Sequence, residues 1–160
     1  MKAVAVVDVN LLVRGTLSAK GGSRLLITGF KRGEYLLITA RRHLTELYRV
    51  LGYPRLTRKW PITRRIRRRL VAQLYQRAVW VEPTGNLRLC RDPQDDYLLE
   101  MALLGKATHL VSEDDDLHDD PVIPTFLSQR GVQLVRLGEF LAFLRATDSS
   151  SGQRHDYLPR

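Results

Sequence analysis

The chain of 160 residues has one cysteine, Cys90. A lone thiol excludes an internal disulfide, and a zinc centre would need several more soft ligands. Long apolar runs are missing too: none approaches the roughly 20 residues that span a bilayer. The opening Met1-Lys2-Ala3-Val4-Ala5-Val6-Val7-Asp8 has too short an apolar stretch for a secretory signal and meets an acid at once. The expectation is a cytosolic (cytoplasmic) protein with no membrane association. Internal repeats are absent as well. Hydrophobic residues still make up 44%, enough for one compact domain with one core.

Acids are missing from one long stretch. None lies between Glu46 and Glu82, where ten basic residues fall, among them Arg58, Lys59, Arg64, Arg65 and Arg68. By contrast, ten of the 17 acids lie between Arg91 and Pro121, in a chain of net charge +9. The basic middle favours polyanions through counterion release. The acidic segment suggests bound cations, because neighbouring carboxylates repel one another until a cation neutralises them.

Short apolar runs at residues 3–7, 35–38, 79–81, 109–112 and 132–135 read as strands. Between them, helical patterns are expected over 23–32, 40–51, 62–77, about 92–104, 123–130 and 138–145, with Ser23 and Thr39 placed to cap two of them. Asp92-Pro93-Gln94-Asp95 has the form of a helix start, with aspartate at the cap and proline next. Residues 9–22, 55–61 and 113–120 are expected to be loops. The alternation predicts an α/β fold: a central parallel sheet of about five strands with helices on both faces. A single domain would span 1–146, and the polar stretch 147–160 would be a disordered tail.

In such sheets ligands bind beyond the carboxyl ends of the strands. Asp8 and Asp114 each follow a strand and could meet there. Taken alone, Asp8 in a single Asp-x-Asn reads better as a loop acid or turn former. Asp92 and Asp95 have sufficient roles as cap and first-turn acid. Asp96 shares a helix face with Leu99 and Leu103, where an acid needs a partner or a metal. The helical wheel leaves Glu46 a solvated residue. In the acidic loop Asp114 is nearest the strand end, and Asp116 is second.

The order of these pieces resembles the PIN-domain family. Val6-Val7-Asp8-Val9-Asn10-Leu11, Leu44-Thr45-Glu46-Leu47, Asp92-Pro93-Gln94-Asp95-Asp96-Tyr97 and Leu110-Val111-Ser112-Glu113-Asp114 are similar to its four motifs; each is weak alone, and four in order are specific. The resemblance covers residues 4–144. It implies a ribonuclease in which Asp8, Glu46, Asp96 and Asp114 converge on Mg²⁺ or Mn²⁺, with Asn10, Ser112, Asp92 and Asp116 in support. Only the resemblance gives Glu46 a function. The Asp-Pro-x-Asp-Asp form and the chain length are similar to those of toxins of toxin–antitoxin pairs. That implies RNA as substrate, an antitoxin protein as partner and a homodimer.

The basic segment is expected either to track a phosphate backbone, to meet an acidic antitoxin segment, or to be a solvated helix face, with Trp60 or Tyr75 as candidates for stacking on an unpaired base. A non-catalytic nucleic-acid-binding module on the same fold is the alternative. A haloacid-dehalogenase-type phosphatase would need a second aspartate where Asn10 stands. A phospho-accepting receiver domain would need an acidic pair before its phosphorylated aspartate, which is missing around Asp8.

Overall fold

The computed structural model describes residues 2–152. Five strands, β1 (Val4–Val7), β2 (Leu36–Thr39), β3 (Val79–Trp80), β4 (His109–Val111) and β5 (Gln133–Val135), form one sheet in the order β3-β2-β1-β4-β5. Every pairing is parallel. The expected α/β architecture is therefore present.

Strands β1, β2, β4 and β5 feed both faces, as the period of two requires. Ala5 and Val7 of β1, Leu37 of β2 and Val111 of β4 enter one core, with Leu26, Leu47, Leu74 and Phe140. Val6, Ile38 and Leu110 enter the other, with Leu98, Met101 and Leu127. Helices α1 (Val9–Leu17), α2 (Gly22–Lys31), α3 (Arg41–Leu51), α5 (Arg64–Arg77) and α9 (Leu137–Gly152) cover the first face. Helices α6 (Asp96–Leu104) and α8 (Ile123–Ser128) cover the second. No helix among the described residues is long and apolar enough to cross a membrane.

Several elements differ from the sequence pattern. Helix α1 occupies part of a stretch expected to be a loop: its consecutive Leu11, Leu12 and Val13, all buried, mask any helical period. The single turns α4 (Pro54–Thr57) and α7 (Asp115–His118) lie in the other two expected loops. Helix α2 starts one residue early, capped at Gly21 rather than Ser23. Thr39 does not cap α3, whose cap position is Ala40. Its hydroxyl is 3.0 Å from Nδ1 of His43 instead. Helix α9 runs through Gly152, so residues 147–152 are helical, not tail. The rest of the expected tail, 153–160, lies outside the described residues.

Two buried carboxylates on α6 explain much of the acidic segment. Glu100 accepts the amides of Thr84 (2.6 Å), Gly85 (3.2 Å) and Leu87 (2.7 Å). Asp96, one turn earlier, accepts those of Leu89 (2.9 Å) and Cys90 (2.8 Å) through one oxygen. Residues 82–92 have no regular structure, so their amides need acceptors from elsewhere, and these two side chains supply them. Burial alone would raise the Glu100 pKa. The Leu87, Gly85 and Thr84 amides and the Thr84 hydroxyl outweigh it and hold the carboxyl below its ordinary value.

Gly15 fixes how α1 meets α2. A Cβ there would collide with the Ser23 carbonyl oxygen and lie 2.7 Å from Ile27 Cγ1. The obstruction includes backbone, which cannot rotate away. Gly15→Ala is therefore expected to destabilise the fold by about 1–3 kcal/mol, the usual cost of overpacking. Thermal unfolding checks this: an unchanged midpoint would show that the helices do not approach this closely.

Candidate active site

The strand order reverses between β1 and β4. The chain builds outward from β1 through β2 to β3, then returns to place β4 on the other side of β1. Ligands of open α/β sheets bind in the crevice at this kind of point. The register pairs Val7 with Val111, so Asp8 and Ser112 emerge side by side. Asp8 N donates to the Val111 carbonyl (3.0 Å), one last rung beyond the paired residues.

Ser112 is fully buried and ties two carboxylate-bearing segments together. Its hydroxyl donates to Asp8 Oδ2 (2.9 Å) and accepts the Asp114 amide (3.1 Å). His118 Nε2 donates to the Ser112 carbonyl (2.6 Å). The other Asp8 oxygen accepts the Asn10 amide (3.2 Å), so Asp8 caps α1. Asp114 caps α7 in the same way through the Asp116 amide (2.9 Å). The side chain of Asn10 is exposed, and it is the backbone of Asn10 that supports Asp8.

His43 locks α3 to the end of β1. Its Nε2 lies 2.8 Å from the Val7 carbonyl. A carbonyl only accepts, so Nε2 carries the proton and Nδ1 accepts from Thr39. Burial lowers the His43 pKa, partly opposed by the Val7 hydrogen bond, Asp8 and Glu46. His43 is wholly inside, one peptide from Asp8. One turn along α3, Glu46 is half-buried and accepts the Tyr97 hydroxyl (2.7 Å). Glu46 thus faces the strand ends, an orientation the wheel left open.

At the third position two neighbouring aspartates differ in their surroundings. Asp96 is buried, as its place on the α6 face implied. Its carboxylate, however, serves the 89–90 amides, and its second oxygen has no partner among the described residues. Burial would raise its pKa, but the Cys90 and Leu89 amides, the Cys90 thiol and Arg88 bring it below the ordinary value. The other three carboxylates are not among the leading influences on its ionisation. Its neighbour Asp95 meets the charges instead. Burial and the charges of Asp114, Asp92, Asp8 and Glu46 push its carboxyl up to about 7. Among the described residues Asp95 has no hydrogen-bonded partner, whereas Asp92 caps the short 3₁₀ turn Pro93–Asp95. That turn advances about 120° per residue rather than 100°, which displaces Asp95 from where an α-helical wheel puts it. The sequence assigned Asp95 a first-turn role; a tighter turn after proline was the signal available.

Asp8, too, is raised, chiefly by burial and further by Asp114, against the Ser112 and Asn10 hydrogen bonds. Asp116 is exposed and 3.7 Å from Arg91, itself exposed. Asp115 and Glu113 hold Arg136. At the switch point Asp95 therefore feels the charges of Asp8, Glu46 and Asp114, each from a separate stretch, and Asp8 feels that of Asp114.

A family model described as PIN domain matches residues 4–116. The chain belongs to the PIN-domain family. PIN domains are generally nucleases, so the chain carries a nuclease fold, and the PIN match takes in all four carboxylates. No curated protein matches the chain.

PIN domains usually use divalent metals, and the donor set suits one. Carboxylate oxygens fit hard divalent cations, and the raising of Asp95 by Asp114, Asp92, Asp8 and Glu46, and of Asp8 by Asp114, includes repulsion that a cation would relieve. Among the described residues, no three acids, histidines or cysteines form a ready cage. Mg²⁺ does not require one: it keeps several waters and takes one or two carboxylates plus substrate phosphate.

The two neighbouring aspartates should respond oppositely to amidation, measured by thermal unfolding in chelator. Asp95 has a raised folded pKa, so its ionisation costs stability above its ordinary value, in full above about pH 7. Asp95→Asn is expected to raise the unfolding midpoint at pH 8 and to change little at pH 4. Asp96 has a lowered pKa, so its contribution is present above the ordinary value and is lost as pH falls further. Asp96→Asn is expected to lower the midpoint at pH 8. Reversed signs would return Asp96 to the carboxylate group.

Proposed function

We propose that the chain is a metal-dependent ribonuclease hydrolysing RNA phosphodiester bonds, with Asp8, Glu46, Asp95 and Asp114 as its acidic site. The observation that carries this reading is the convergence of the four carboxylates at the switch point, with Asp95 pushed up to about 7 by burial and then by the charges of its neighbours.

Asp8, Asp95 and Asp114 would hold Mg²⁺ or Mn²⁺, in part through water. When bound, the cation supplies a water of lowered pKa and neutralises charge on the phosphate oxygens. Ser112 orients Asp8 and the Asp114 backbone together, so both carboxylates keep one relative position. Glu46, directed by the Tyr97 hydroxyl, presents its free oxygen as acceptor for the attacking water. His43 does not exchange protons in this scheme; it fixes the spacing of Asp8 and Glu46.

The basic segment supports an anionic polymer as substrate. Arg58, Lys59, Arg64, Arg65 and Arg68 are exposed, and none has an acidic partner among the described residues. Arg67 differs: its guanidinium lies over Tyr48 and donates to the Tyr48 carbonyl (2.7 Å), fastening α5 to α3. The role of toxin in a toxin–antitoxin pair belongs to the same reading and rests on the form of the third motif. It brings with it an antitoxin partner, a homodimer and a cytoplasmic location.

Cleavage of a single-stranded RNA with and without Mg²⁺ or Mn²⁺ tests the proposal. Asp8→Asn and Asp95→Asn are expected to abolish metal-dependent cleavage. Ser112→Ala is expected to lower it roughly 10–100-fold, as loss of a group that orients a ligand does. Asp96→Asn should keep the chemistry once corrected for folded fraction. Equal cleavage by wild type and Asp8→Asn would remove the catalytic reading and leave a binding module.

A further inference from the structure

Beside the carboxylates, at the edge strand β3, lies an open cleft of about 1020 Å³. Trp80, Tyr75, Tyr97, Arg41 and Arg42 line it, with Glu82 also present. Trp80 is 40% exposed and Tyr75 62%. The two rings meet edge to face, 4.9 Å apart at 70°. The indole N–H donates to the Tyr75 carbonyl (3.0 Å), so the Trp80 ring is held in place with its own polar group already satisfied. What it offers a ligand is a π surface.

The cations are set the same way. Arg42 lies over the Tyr97 ring at 4.4 Å and donates to the Gln94 side chain (2.8 Å). Neither Arg41 nor Arg42 is paired with an acid among the described residues. Tyr97 belongs to both places: its ring lines the cleft and its hydroxyl holds Glu46. A chain lying in the cleft is thereby led to the carboxylates.

We propose that this cleft is a subsite for an unpaired stretch of nucleic acid. A base stacks on the Trp80–Tyr75 platform, and Arg41 and Arg42 meet the adjoining phosphates. An aromatic platform beside unpaired arginines matches the two components of a single strand, base face and phosphate. A duplex keeps its bases stacked on one another and presents no such face. The proposal rests on the nuclease reading for its orientation toward Glu46, but stacking itself needs neither metal nor catalysis.

The test is binding in chelator, followed by fluorescence anisotropy of three labelled probes. These are a ten-nucleotide oligoadenylate, an abasic oligomer of equal charge and a duplex of the same length. Trp80→Ala is expected to weaken oligoadenylate binding on the order of tenfold, in the range seen when a stacking aromatic is removed. Trp80→Phe should retain most of the affinity. The abasic oligomer and the duplex should bind weakly, and equally to wild type and Trp80→Ala.

Equal binding of oligoadenylate and abasic oligomer by wild type would overturn the proposal, and this comparison stands even where a variant fails to fold. So would a wild-type dimer that Trp80→Ala dissociates with RNA binding unchanged, since the cleft would then be a contact between copies. The two readings fail separately. Base-sensitive binding without metal-dependent cleavage removes the ribonuclease and keeps the subsite. Cleavage that depends on Asp8, with base-insensitive binding, does the reverse.

Discussion

The parallel pairing of β1 with β4 sets Val7 beside Val111, and the next residue on each strand is then fixed. Those residues are Asp8 and Ser112. Because the strand order reverses there, neither helix layer covers the gap, and charged groups can stand at its mouth without full desolvation. The remaining carboxylates are brought to that mouth by separate devices. His43 ties α3, and with it Glu46, to the Val7 carbonyl. Ser112 carries the Asp114 backbone. The 3₁₀ turn after Asp92 turns Asp95 out.

The acidic segment divides by what each carboxylate receives. Asp96 and Glu100 receive amides from an irregular stretch and are held ionised by them. Glu113 and Asp115 receive Arg136. Asp95 receives no such partner and is half-buried among like charges. A fold that keeps such a group gives up stability for it, as functional sites do. This separates a structural acid from a site acid more sharply than position on a wheel does, since both kinds lie at the edge of a buried face.

Strand positions were legible in the sequence because β1, β2 and β4 are buried on both faces and show as short runs rich in valine, leucine or isoleucine. The order of motifs gave the family. Helix α1 was not legible, because its apolar residues are consecutive rather than periodic. The burial of Asp96 was legible from the helix face it shares with Leu99 and Leu103, whereas the surroundings of Asp95 depend on a 3₁₀ turn that an α-helical wheel does not describe. The orientation of Glu46 came from a contact 51 residues away, with Tyr97, which no local pattern encodes. The Trp80 platform was hidden for the same reason: Trp80 sits in a two-residue strand, and its meeting with Tyr75 depends on how α5 returns to the sheet.

The central claim is that these four carboxylates make one cation site. Titrating the protein with Mn²⁺ and following paramagnetic broadening of its backbone amides tests this directly. The account predicts broadening centred on Asp8, Ser112, Asp95 and Asp114 at low Mn²⁺, lost in Asp95→Asn and retained in Asp96→Asn. Broadening centred instead on exposed Asp116 and Asp119, or none at Asp8, would contradict it.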